Sequence, residues 1–218
     1  MTRVFFVRHA EPDTTVKDDR NRPLTESGIA STSIVIEILN GRDIDVAFSS
    51  PYKRSIDTIK AFTDSIGIQI QTDERFRERG GGMPGQGLRN NPERWKSPTW
   101  KNEWGESIAE VKKRNIEALM DVLVEYEGHN IIVGTHGTAL STILDYLSPE
   151  YGYDDFIRMM DWMPNIIEIV FVGKDVVAIN ELGHHGNKRS ISTRSICILI
   201  KTLIKKLHDR SVSLLICI

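Results

Sequence analysis

The stretch Arg3-Val4-Phe5-Phe6-Val7-Arg8-His9-Ala10-Glu11 decides how this chain is read. Four consecutive apolar residues between two arginines predict a strand buried on both faces. A histidine follows at once. A second stretch repeats the order: Asn130-Ile131-Ile132-Val133-Gly134-Thr135-His136-Gly137-Thr138. A histidine leaving a buried strand stands at the rim of a sheet, where open α/β folds take their ligands. A parallel sheet would bring the two rims together, and Arg8 beside the first histidine suggests an anionic ligand.

The pattern around these strands is read outward from them. Thr25-Glu26-Ser27-Gly28 marks the start of a helix carrying Ile29, Ile34, Ile36, Ile38 and Leu39, which stops at Asn40-Gly41. Ile44 to Phe48 predicts a second strand. Pro51 fits the first turn of the next helix, whose face Ile56, Ile59, Phe62 and Ile66 runs to Gly67, and Ile68 to Ile70 predicts a third strand. From Gly105, residues Ile108, Val111, Leu119, Val122, Leu123 and Tyr126 keep a helical period up to Gly128. Ile131 to Val133 is then a strand, with helices expected near Ala139–Leu147 and Asp154–Met160. Strands at Ile166–Val172 and Val176–Ile179 read as a hairpin about Gly173-Lys174-Asp175. The alternation predicts an α/β fold with a mostly parallel central sheet, covered on both faces, and an antiparallel edge.

Residues 79–104 break this pattern with five glycines, three prolines and three tryptophans. A long aperiodic segment reads either as a lid or side wall over a pocket or as a surface excursion whose tryptophans cap the core. Residues 1–185 form one expected domain. Residues 186–194 read as a polar linker, and an amphipathic tail follows to residue 218, with Ile196, Leu199, Ile200, Leu203, Ile204 and Leu207 opposed by Lys201, Lys205 and Lys206. That stripe suits packing on its own domain, a second subunit in a homodimer, or a membrane surface.

Bulk composition narrows the partners. The formal net charge of −2 gives no reason to expect nucleic acid. The two cysteines, Cys197 and Cys217, both fall in the tail, so a disulfide framework is excluded for the main body and a reducing, cytoplasmic compartment is expected. The first apolar run stops at Arg8, too soon for a signal peptide, and no stretch is long and apolar enough to span a bilayer.

The chemistry follows from four side chains. Arg54, in Ser49-Ser50-Pro51-Tyr52-Lys53-Arg54, sits at the start of a helix after a strand, and Gly137-Thr138 opens another helix directly after His136. Helix starts offer N–H groups to anions. With Arg8 and His9 they describe a pocket for a small dianion, and phosphate matches the arginine fork. There is no glycine-rich phosphate loop with its lysine, no metal-ligand spacing and no main-body cysteine, so neither a metal nor a cofactor is expected. His184-His185 reads as an exposed pair. A neutral imidazole is a competent nucleophile, and His9 is the best placed. Glu78, in Glu74-Arg75-Phe76-Arg77-Glu78-Arg79, lies just before the aperiodic segment. It reads either as a proton donor or as part of a solvated charge cluster.

Taken together, these motifs resemble the histidine phosphatase superfamily, the phosphoglycerate mutase-like family. Arg8-His9 is similar to its signature pair. Arg22-Pro23-Leu24-Thr25-Glu26-Ser27-Gly28 is similar to the start of its first helix, and Ser49 to Ser55 to the segment with its second phosphate-binding arginine. Gly105-Glu106-Ser107 with Arg114, Thr135-His136-Gly137 and Pro164-Asn165 follow in family order. The resemblance covers residues 2 to 183 and implies a three-layer α/β/α sandwich. It implies His9 as nucleophile, Arg8, Arg54 and His136 as phosphoryl ligands, Glu78 as proton donor with Glu74 as the fallback, and a small phosphorylated substrate. Ala10 stands where the family often has glycine, which leaves the turn workable if its φ is negative. The expected activity is metal-independent phosphomonoester hydrolysis through a phosphohistidine. Mutase-type transfer and a non-catalytic phosphate-binding module are the alternatives.

Overall fold

A computed structural model gives the structure of residues 1–81, 92–148 and 150–184, together with the strand Ser192–Thr193. The strands are β1 (Thr2–Arg8), β2 (Val46–Ser49), β3 (Ile70–Thr72), β4 (Asn130–Thr135), β5 (Asn165–Val172), β6 (Asp175–His184) and β7 (Ser192–Thr193). They form one sheet in the order β3-β2-β4-β1-β5-β6-β7. The first four are mutually parallel; β5, β6 and β7 add on antiparallel. The expected parallel sheet with an antiparallel edge is what forms. β7 lies inside the stretch read as a linker, and the rest of the tail, with its amphipathic stripe and both cysteines, lies outside the described residues.

The helices are α1 (Glu26–Ser31), α2 (Ser33–Leu39), α3 (Lys53–Ser65), α4 (Glu93–Lys96), α5 (Ile108–Glu125), α6 (Gly137–Leu147) and α7 (Tyr153–Arg158). Alternation along β1 sorts its side chains between two cores. Val4 and Phe6 face α5, α6 and α7, joining Leu119, Val122, Leu140, Ile143 and Met159. Phe5 and Val7 face α2 and α3, joining Val35, Leu39, Ile59 and Phe62. The result is the three-layer α/β/α sandwich, with β1 at its centre and buried on both sides, as its unbroken apolar run requires.

Three local expectations change. The first predicted helix is interrupted at Thr32 and forms two short ones. Pro51 lies outside α3, whose N-cap is Tyr52. The inner face of α3 is also not the aliphatic stripe anticipated. Ile66 is 43% exposed, while Arg54, Ser55 and Thr58 are buried beside Ile59 and Phe62. The first turns of α3 pass the rim of the sheet, where polar partners rather than methyl groups are met.

Two caps fix how the chain enters its helices. Thr25 Oγ1 accepts from the Gly28 N–H at 2.9 Å. A Cβ on Gly28 would lie 2.3 Å from the Glu11 carbonyl oxygen, so only glycine lets α1 close on the segment after β1. Ser107 and Glu110 exchange hydrogen bonds in a capping box at the start of α5.

Candidate active site

The register of the sheet decides where the histidines go. β1 and β4 pair in parallel with Arg3 opposite Asn130 and Arg8 opposite Thr135. The next residue on each strand is a histidine, so His9 and His136 leave adjacent strands side by side. Their ring centroids lie 5.2 Å apart at 62°, close to the spacing of neighbouring strands.

The surroundings of each ring fix its protons. His9 is buried, and its Nδ1 lies 2.7 Å from the Ala10 carbonyl oxygen. A carbonyl can only accept, so Nδ1 carries the proton and the lone pair of the neutral ring sits on Nε2. The Ala10 peptide is itself held, its N–H donating to Thr58 Oγ1 at 2.9 Å, and Ala10 is not among the residues with positive φ. His136 is fully buried. Burial first, then the positive charge of Arg54, hold its pKa well below the usual histidine value. The ring is therefore neutral at physiological pH. Its Nε2 meets Ser50 Oγ at 2.7 Å, whereas Nδ1 is buried without a partner.

The two arginines approach from different elements. Arg54, 3% exposed, reaches from the first turn of α3 across the Tyr52 ring, 4.9 Å from its centroid. Tyr52 in turn lies edge-on to His136, with centroids 5.2 Å apart. Arg54 donates to the Asp19 carbonyl at 2.5 Å and lies 3.3 Å from its carboxylate. Arg8 donates to the Met159 carbonyl at 2.6 Å. Its guanidinium lies flat against Gly137, where a Cβ would come within 3.2 Å of Arg8 Cζ.

Glu78 closes the group. Its Oε2 accepts from the Thr138 N–H at 3.1 Å and its Oε1 from the Arg79 N–H at 2.7 Å. The carboxylate thus sits at the start of α6, two residues from His136. Behind it stands a scaffold of charges. Arg114 donates to the carbonyls of Arg75, Arg77 and Glu78, and Glu106 binds both Arg77 and Arg114. Burial alone would raise the Glu106 carboxyl. Hydrogen bonds from Arg77, Arg114 and the Gly80 N–H outweigh it and hold the pKa at about 2. Glu106 N–H also donates to the Gly80 carbonyl at 3.0 Å, and Gly81 bridges Gly105, making a neck from which the aperiodic segment departs.

The candidate catalytic and phosphate-binding residues Arg8, His9, Arg54, Glu78, His136 and Gly137 therefore meet at one rim. Glu74 does not. It lies exposed, paired with Arg20. Of the pair His184-His185, His184 is not exposed but stacks on Trp162 at 4.0 Å and 4°, and His185 lies outside the described residues. Among the described residues no group of three or more His, Cys, Asp or Glu is placed to hold a metal ion, and no helix is long and apolar enough to cross a membrane.

Several contributors were not singled out. Ser50 and Tyr52 lie inside a motif quoted for Arg54 alone. Asn165, 1% exposed with both amide atoms unpartnered, sits opposite Arg8 in the β1–β5 register. Arg114, quoted from the sequence only within the motif that opens α5, was given no role there, although it lies three residues from Val111 and four from Ala118 on the buried face of α5. A guanidinium on an apolar face needs partners.

Comparison with known proteins gives the family and the fold. The sequence model of the histidine phosphatase superfamily (branch 1) matches residues 4–174. The chain is 29% identical to a probable phosphoglycerate mutase GpmB of Yersinia pestis, over 67% of this chain and 75% of that protein. Among solved structures it is similar to Bacillus stearothermophilus YhfR, with a TM-score of 0.66 and 21% identity over 86% of this chain and 98% of that one. It is similar also to phosphoserine phosphatase from Entamoeba histolytica, with a TM-score of 0.64 and 21% identity over 81% and 94%.

Proposed function

This chain belongs to the histidine phosphatase superfamily, branch 1, and from that membership we propose that it hydrolyses phosphomonoesters through a phosphohistidine on His9. The observation that carries the reading is the His9 ring: with Nδ1–H committed to the Ala10 carbonyl, the nucleophilic lone pair belongs to Nε2.

In the first step His9 Nε2 attacks phosphorus in line, the P–O ester bond breaks, and Glu78 gives a proton to the leaving oxygen. Arg8 and Arg54 hold the equatorial oxygens, whose charge they stabilise in the transition state. Neutral His136 joins them as an N–H donor: with Nε2 accepting from Ser50, the unpartnered Nδ1–H turns to a phosphoryl oxygen. In the second step water attacks phosphorus, Glu78 takes its proton, and the N–P bond breaks to release inorganic phosphate.

His9→Ala is expected to abolish turnover of an aryl phosphate, and quenching the wild type in alkaline denaturant, where the acid-labile N–P bond survives, is expected to trap a phosphoenzyme that the variant lacks. Turnover surviving in His9→Ala overturns the nucleophile assignment. Glu78→Gln should slow an alkyl phosphate by about 10²–10⁴-fold. An aryl phosphate, whose leaving group needs less protonation, should suffer less. Equal losses on both would remove the proton-donor role.

The similarity to a probable phosphoglycerate mutase favours one second reading, return of the phosphoryl group to substrate rather than to water. Incubation with 3-phosphoglycerate separates the two. Hydrolysis releases inorganic phosphate, whereas a mutase accumulates 2-phosphoglycerate.

A further inference from the structure

Arg8 is held by a backbone carbonyl, that of Met159, which accepts from its Nη1 at 2.6 Å. Met159 is the C-cap of α7, and the same carbonyl accepts from the Trp162 N–H at 3.1 Å. α7 does not place this carbonyl by itself. The helix has six residues, none of them buried, and so short a helix has little stability of its own in water. On one side Phe156 meets Trp95 at 5.7 Å, but α4, which carries Trp95, is only four residues long. On the other side stands β6. Its Glu181, 5% exposed, accepts from Arg158 Nη1 at 3.0 Å, from Arg158 Nη2 at 2.6 Å and from the Tyr151 hydroxyl at 3.2 Å. Arg158 ends α7 and Tyr151 comes just before it, so one carboxylate grips both ends of the helix. β6 holds the following turn again at His184, on which the Trp162 ring stacks at 4.0 Å, while Arg158 Cζ lies 4.8 Å from the centre of that ring.

A buried ion pair adds little stability that apolar side chains of similar size would not. What it adds here is direction. The two arms of the Arg158 fork meet the two Glu181 oxygens along fixed lines, so Arg158 and the residue after it stand in one place. β6 and β1 are not neighbours, since β5 runs between them. Yet Arg8 lies opposite Asn165, and Asn165 opposite His184. The turn from Arg158 to Trp162 therefore carries the placement of β6 across β5 to Arg8.

We propose that Glu181 is a positioning residue for phosphoryl transfer: by fixing α7 to β6 through Arg158 and Tyr151, it holds the Met159 carbonyl where that carbonyl aims Arg8 at the phosphoryl group. This rests on the function proposed above, in which Arg8 binds the equatorial oxygens. Glu181 touches neither substrate nor reacting atoms, and its whole effect passes through one guanidinium. A small shift of that guanidinium is enough to cost rate, because the group it serves must be met in line.

The test is a double-mutant cycle with Arg8 on the full chain, read as the Kd of inorganic phosphate by calorimetry and as kcat/KM on an aryl phosphate. Glu181→Gln keeps the shape but puts an NH2 group in place of one accepting oxygen, and that group cannot receive the second arm of the fork. In the wild-type background it is expected to weaken phosphate binding about 5- to 10-fold and to lower kcat/KM at least as much, as partial loss of a hydrogen bond to a charged group implies. In the Arg8→Met background the same change should alter either quantity by less than about twofold, because the group it acts through is gone. Arg158→Lys keeps the ion pair but offers no fork, and serves where Glu181→Gln does not fold. Its smaller loss should vanish in Arg8→Met in the same way. Equal losses in both backgrounds, which a merely loosened fold would give, overturn the proposal. So does a Glu181→Gln protein that binds phosphate as tightly as the wild type. Phosphate binding without turnover, with the cycle still coupled, removes the hydrolysis reading and leaves this inference standing. Turnover with an additive cycle removes this inference alone.

Discussion

At the scale of single residues, the site depends on groups that have no side chain as much as on those that do. Gly137 is the clearest case. The Arg8 guanidinium occupies the space a Cβ would need, with Cζ at 3.2 Å and Nη2 at 3.3 Å. Gly137→Ala is expected to push that fork out of line and raise the Ki of inorganic phosphate about tenfold, the equivalent of roughly one charge-assisted hydrogen bond. The melting temperature should barely move, because the displaced atoms are the end of a flexible chain. An unchanged Ki would mean that Arg8 does not hold the anion. His9 itself was legible as a nucleophile candidate from its place after a strand. Its tautomer was not, because it is set by a backbone carbonyl, a group every residue carries.

At the scale of elements, the 3-10 turn Glu74–Phe76 and the residues after it are placed by α5 rather than by their own sequence. Arg114 donates to the carbonyls of Arg75, Arg77 and Glu78 there, and Glu106 ties the neck. Arg114→Met should release this segment and lower kcat about 10²-fold through misplacement of Glu78, with KM nearly unchanged. A flattened basic or acidic limb in the pH–rate profile would mark the lost proton transfer, which a merely weakened fold would not produce. Glu106 adds an acid-dependent element. Its folded pKa of about 2 lies below the ordinary carboxylate value, so the stability it contributes is full above pH 4.5 and is lost as pH falls towards 2. Glu78 was ambiguous in the sequence for the same reason: a run of alternating charges looks alike whether solvated or held by a distant helix. Gly28 places α1 in a similar way. Gly28→Ala meets backbone at 2.3 Å and is expected to destabilise the fold by about 1–3 kcal/mol in chemical denaturation.

At the scale of the whole molecule, the fold was largely readable because its central strands are buried on both faces and α5 and α6 keep their period. Strand order was less accessible, since pairing β1 with β4 joins residues far apart in the chain. The aperiodic segment was least so, and α4 with Arg94 emerged only from tertiary burial. One global property follows from the core of the site. His136 is held neutral in the folded state, while the unfolded chain protonates it near pH 6.5. Stability should thus be independent of this group above that pH and fall below it, by up to about 1.4 kcal/mol per pH unit. Melting curves between pH 7.5 and 5.0 check this, and His136→Gln should lose that part of the slope.

The neck at Gly80–Gly81 and Gly105–Glu106 has a consequence for how such a protein diversifies. What leaves and re-enters there is a detour whose two ends are stitched together before it begins. Its length and content can drift without the strands feeling it, so the pair of imidazoles keeps the interval that the sheet imposes.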